Sequence, residues 1–176
     1  MIPVLVAVAI ILLFLIVFIA GRPDEFKVVR KTTIPASPGI VFTQVNNLRA
    51  WEAWSPWAKR DPNARSTYEG PEAGMGSIMR WSGNNKVGEG SMTIVDSRPD
   101  ALVRFKLEFL RPFKATNTAE FTFVPEGPGT TVTWTMFGHN NFGSKAFGLL
   151  MNCDDMVGRD FDKGLASLKS VVESKR

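Results

Sequence analysis

Few side chains in this sequence are equipped for covalent or acid–base chemistry. Among 176 residues there is one histidine, His139, and one cysteine, Cys153. Any imidazole-based relay or histidine metal site is therefore limited to His139. That residue stands in "FGHNNFG", a Gly/Asn-rich string whose turn chemistry points it to solvent. Asn140 and Asn141 could offer polar contacts at a cavity mouth, and turn formation explains them equally well. Cys153 precedes Asp154 and Asp155, whose charge raises a thiol pKa and works against a nucleophile. The same two acids suit the first turn of a helix through the macrodipole. "GEG" and "GPG" read as turns, and no spacing of ligands suggests a metal. We therefore assign no catalytic residue, no metal and no cofactor from sequence. The net charge is +4, but lysine and arginine are scattered without the run that a nucleic-acid groove needs.

Bulky apolar side chains are abundant instead. "WEAWSPWAKRDP" at 51–62 holds three of the chain's five tryptophans. Trp51 and Trp54 share one face at helical spacing, whereas Pro56 disfavours a helical Ser55 and turns the chain into an extended exit. Trp57 is thus expected to point away from the other two. The segment can be a wedge in the end of a core or the rim of a cavity.

Alternation along the later strands separates two faces. Val103, Phe105, Leu107 and Phe109 oppose Arg104, Lys106 and Glu108; Ala119, Phe121 and Phe123 oppose Glu120; Val132, Trp134 and Met136 oppose three threonines. Met79 with Trp81, and Met92 with Ile94, continue the apolar side, which leaves Arg80 outside. Where phenylalanine, tryptophan and methionine replace the tighter-packing aliphatics, an adaptable cavity is favoured slightly over a solid core. The expected lining is Trp54, Trp57, Met79, Trp81, Met92, Phe105, Phe109, Phe121, Phe123, Trp134, Met136, Met151 and Phe161.

The elements that position these residues follow from periodicity. Residues 1–21 carry no charged side chain. About 20 apolar residues at 1.5 Å per residue match a hydrocarbon layer of about 30 Å. The run lacks the basic start and the small-residue cleavage site of a secretory signal, so an uncleaved anchor is expected. Arg22, Lys27, Arg30 and Lys31 follow it, which by the positive-inside rule puts the body on the cytoplasmic side of the inner membrane. After a linker at 22–25 come a strand at 26–34, a short helix within 35–48 opened by Ser37 and Pro38, and the tryptophan segment. A β-rich stretch then runs from 65 to 138 as an antiparallel meander. The chain closes on a long amphipathic helix bearing Met151, Val157, Phe161, Leu165, Leu168 and Val172 on one stripe. Gly158 and Gly164 interrupt it, a cost of about 1 kcal/mol each relative to alanine that close packing on the sheet would explain.

The strand followed by "PASPGIVFTQVNNLRAWEAWSPW", then "GMGSIMRWSG", "VGEGSMTIVDSRPD", "GTTVTWTMFG" and "GRDFDKGLASLK", resembles the SRPBCC superfamily. This group is also called START-like, and spans polyketide cyclase/dehydrase and lipid-transport proteins. The resemblance covers residues 26–173. It implies an α+β helix-grip domain over 26–176, with about seven antiparallel strands curved around the last helix and a hydrophobic cavity between. Members bind lipids, sterols, hormones or polyketides, some cyclise polyketides, and some are co-chaperone modules. The expected protein is thus a single-pass, membrane-anchored binder of a hydrophobic or amphipathic small molecule. A cyclase/dehydratase-like enzyme and a protein-interaction module are the alternatives.

Overall fold

Seven segments rich in β-branched and aromatic residues alternate between apolar and polar sides, and each forms a strand. The computed structural model describes residues 1–112, 114–140, 142–149 and 153–175. In chain order these are α1 (Ile2–Ala20), β1 (Glu25–Ile34), α2 (Pro38–Asn46), a 3₁₀ turn (Leu48–Ala50) and α3 (Trp51–Trp54). There follow β2 (Arg65–Glu69), β3 (Ile78–Ser82), β4 (Glu89–Arg98), β5 (Leu102–Arg111), β6 (Ala115–Glu126), β7 (Gly129–His139), α4 (Phe142–Phe147) and α5 (Cys153–Glu173). The strands make one antiparallel sheet in the order β1-β7-β6-β5-β4-β3-β2. Strands β2 to β7 are therefore a meander, and β1 closes it along β7.

Two local departures from the sequence reading have plain causes. Of "GPG" at 127–129, read from sequence as a turn, Gly129 already belongs to β7 and pairs with Glu126, the last residue of β6. The turn is thereby only two residues long, with Gly127 at φ +55° as a tight hairpin requires. Helix α4 was not foreseen, because six residues are too few to display a helical stripe. Ser37 and Pro38 do open α2, although the serine hydroxyl makes no capping hydrogen bond. Ser55 is extended at ψ 131°, so Pro56 ends α3 as expected.

Helix α5 lies over β1 and β7, and its two glycines mark where the sheet comes closest. A Cβ at Gly164 would stand 2.8 Å from the Trp134 ring and 3.1 Å from Pro56. At Gly158 it would fall 1.9 Å from Nη2 of Arg30. Arg30 is on the inner side of β1 and reaches across the helix there. Its guanidinium donates to both carboxylate oxygens of Asp154 at 3.0 Å and to Asp162 at 3.3 Å. Asp154 is thus the sheet's partner for Arg30 as well as a helix N-terminal charge. The hydrogen bond from Arg30 is the main cause holding the Asp154 carboxyl below its ordinary range. A carboxyl depressed by folding supports stability above its unfolded pKa and loses that support as pH falls through the folded value. Arg30→Met is therefore expected to flatten the acid limb of the stability profile and to speed amide exchange in the first turns of α5. Stability near neutral pH should change less, since the pair is partly exposed. Urea titrations from pH 3 to 7 check the first expectation and hydrogen exchange the second.

Candidate functional site

The register lines up residues from different strands into rows across the concave side of the sheet. One row runs Arg30, Trp134, Phe121 and Val103. The next runs Val28, Met136, Ala119, Phe105 and Ile94. Apart from half-buried Arg30, every member of these two rows is buried. The following row is Phe26, Gly138, Asn117, Leu107, Met92, Met79 and Tyr68. Only Met92 of its large apolar members is closed off; Phe26, Leu107, Met79 and Tyr68 are half-buried. Beyond it lie Phe109 and Trp81, also half-buried, with Gly90 between them. Burial therefore falls from one end of the concave face to the other.

The closed end is filled by the tryptophan segment. Trp51 and Trp54 contact each other at 4.3 Å between ring centres. Trp51 then meets Phe105, Phe121 and Trp134 edge-on, and Trp54 meets Phe121 and Trp134. Their indole N–H groups donate to the Val45 and Gln44 carbonyls near the end of α2. Trp57 turns toward α5 and packs on Trp134 and Phe161, which themselves stack at 3.9 Å. Asp61, from the same loop, is buried and accepts from the Asn84 amide, while Arg60 pairs with Asp160 of α5. The segment thus joins α2, α5 and the β3–β4 turn. Trp134 alone keeps a buried indole Nε1 without a hydrogen-bond partner, an omission that costs about 1–3 kcal/mol.

At the open end two glycines let neighbouring side chains lie flat on the sheet. A Cβ at Gly138 would come within 2.2 Å of the Asn117 amide oxygen, and one at Gly90 within 2.6 Å of the Trp81 ring. Trp81 is further held by its N–H on the Val87 carbonyl at 3.3 Å and by edge contact with Phe109. The result is a low apolar floor formed by Phe26, Leu107, Phe109, Met79 and Trp81, with the Asn117 amide among them. Val157 of α5, packed against the core, is also half-buried. At the lateral edge the row reaches Tyr68 and a cleft of about 290 Å³ that also includes Leu48, Arg49, Ser77 and Ile78. The Tyr68 hydroxyl donates to Glu52 at 2.8 Å beneath the Arg49 guanidinium. Burial is the first cause that pushes this phenol up to about 12, so it stays a neutral donor.

The residues singled out from sequence are thus divided by depth. Trp54, Met92, Phe105, Phe121, Phe123, Trp134, Met136 and Phe161 are in the closed core. Met79, Trp81 and Phe109 are on the open floor, and Trp57 borders α5. Met151 lies outside the described residues. Sequence reasoning left out Phe26, Asn117 and Tyr68, and gave Leu107 and Val157 a face without a role. Strand parity could have found Phe26 and Asn117, which share a side with Val28 and Ala119. His139 is largely exposed, 3.9 Å from Glu25, and Arg80 pairs with Glu69 on the convex side. Neither reaches the floor. Among the described residues no group of three His, Cys, Asp or Glu side chains could hold a metal.

A curved antiparallel sheet gripping its C-terminal helix, with an apolar concave face, defines a helix-grip domain. The chain belongs to the polyketide cyclase/dehydrase and lipid transport family, which matches residues 25–173. Among curated proteins none matches significantly. Solved structures with the same fold include protein SA2116 of unknown function from Staphylococcus aureus, at 13% identity and TM-score 0.65. The match covers 86% of this chain and 96% of that one. Protein CV1439 from Chromobacterium violaceum matches at 14% identity and TM-score 0.60, over 86% and 99% of the two chains. The Aha1 dimer from Colwellia psychrerythraea matches at 18% identity and TM-score 0.57, over 84% and 96%.

Proposed function

We propose that this protein binds a hydrophobic or amphipathic small molecule, a lipid or an aromatic compound, on the floor beside the N-terminal end of α5, and that α1 anchors it in a membrane. The observation that carries the reading is the apolar surface left half-uncovered inside the concave face. A sheet that merely needed a core would close this end as the tryptophans close the other. Membership of a family that includes lipid transport supports a ligand of this chemistry. The half-buried Asn117 amide offers hydrogen bonds to a polar group on an otherwise apolar molecule. Helix α1 is long and apolar enough to span a bilayer. The basic residues after it favour the cytoplasmic side for the domain.

Native mass spectrometry of the full chain extracted in mild detergent tests the reading. The expected result is a one-to-one adduct of an apolar molecule, strongly depleted in Phe109→Glu. That variant places a charge on the floor, where an apolar ligand would have to desolvate it. Because Phe109 is half-buried, the unfolding midpoint should fall far less than for a core aromatic such as Phe105. A wild-type protein that emerges bare from lipid-rich membranes would overturn the proposal.

A further inference from the structure

We propose that α4, with Leu149 after it and Met156 in the first turns of α5, is a second membrane contact, which sets the open end of the floor against the surface of the bilayer that α1 crosses. This rests on α1 being a span. Helix α4 is tied to the last residue of α1, and both its flanks to the linker that follows. Lys145 Nζ donates to the Ala20 carbonyl at 3.0 Å and pairs with Asp24, and Arg22 donates to the Gly148 carbonyl at 3.2 Å. The Asn140 amide N–H donates to the Asp24 carbonyl at 2.7 Å and its side chain to the Pro23 carbonyl at 3.2 Å. Ala20 is a helix-end carbonyl, a group that must find a donor where water is scarce. Lys145 supplies it. Ile19 is the buried residue of α1.

The apolar run ends at Gly21, so this point lies at the boundary between hydrocarbon and headgroups. The hydrogen bonds then hold α4 at the same depth. Around it the domain displays apolar side chains that nothing covers: Phe142 is 51% exposed, and Leu149 and Met156 are each 38% exposed. Arg22, whose guanidinium is at Gly148, adds a cation for anionic headgroups. Exposed apolar side chains next to cations, held at the interface, are what an interfacial contact requires. The same edge is the open end of the floor, since Gly138 of β7 pairs with Phe26 and α4 starts three residues after His139. An acyl chain could then pass between bilayer and floor without crossing bulk water.

Spin labels on the full chain test this in phosphatidylethanolamine/phosphatidylglycerol nanodiscs. Phe142→Cys, Leu149→Cys, Leu12→Cys and Val124→Cys are made in a Cys153→Ser background, Val124 being an exposed residue near the β6–β7 turn at the far end of the sheet. Collisions with oxygen relative to a nickel chelate should be several-fold higher at 142 and 149 than at 124. They should be highest at 12. Labels at 142 and 149 as water-accessible as that at 124, with 12 in lipid, would overturn this proposal alone. Water contact at 12 would overturn the anchor as well.

Discussion

Trp54→Ala is expected to lower the stability of the domain by about 3–5 kcal/mol, the usual range for removing a fully buried large aromatic. Trp54 is 1% exposed. Its loss removes the contact with Trp51, the edge contacts with Phe121 and Trp134, and the hydrogen bond that holds the end of α2 at Gln44. No nearby side chain can move in without leaving its own partner. A domain of ordinary stability holds about 5–15 kcal/mol in total, so this variant should be partly unfolded at moderate temperature. Trp57→Ala should lose clearly less, because that ring is half-buried at the margin of the same cluster. Chemical denaturation followed by far-ultraviolet circular dichroism compares the two. Equal midpoints would show that the tryptophan segment is not the wedge its packing describes.

The second large effect is expected at Gly90, where adding one methyl group should destabilise the protein by about 1–3 kcal/mol, the range for overpacking. The clash is with rigid atoms: a Cβ would stand 2.3 Å from the Glu108 carbonyl oxygen and 2.6 Å from the Trp81 ring. Strands β4 and β5 would have to part, or Trp81 would have to rise from the floor. In the second case the Trp81 N–H leaves Val87 and the ring moves into the space assigned to the ligand. Gly90→Ala is thus expected to lower both the unfolding midpoint and the ligand occupancy seen by mass spectrometry. Gly158→Ala makes the contrast. Its nominal clash is with the end of a flexible arginine, and alanine restores about 1 kcal/mol of helix propensity. A smaller net change is expected there, read from the same denaturation curves.

Much of the fold was legible because its signals are local. The alternation of Phe105, Leu107 and Phe109 with charged residues needs only neighbouring residues to be read. So does the stripe of Phe161, Leu165, Leu168 and Val172, and the uncharged run of α1. Pro56 ended α3 through contacts with its own neighbour. Helix α4 escaped because its six residues carry no period, and it exists where the chain returns from β7 to α5 beside the end of α1.

The sequence by itself determined which side of each strand is apolar and where the first and last helices run. It could not rank the apolar residues by depth. Phe105 and Phe109 share one face of one strand, yet the first is closed under Trp51 and the second lies half-open beside Trp81. Only the tertiary structure decided that difference. Parity repeats every two residues and follows from the backbone alone. Depth depends on the register of seven strands and on where α3 and α5 come to rest over them. Those are contacts between residues far apart in the chain, and the tryptophan segment covers one end of the face because it is pinned to α2 and α5.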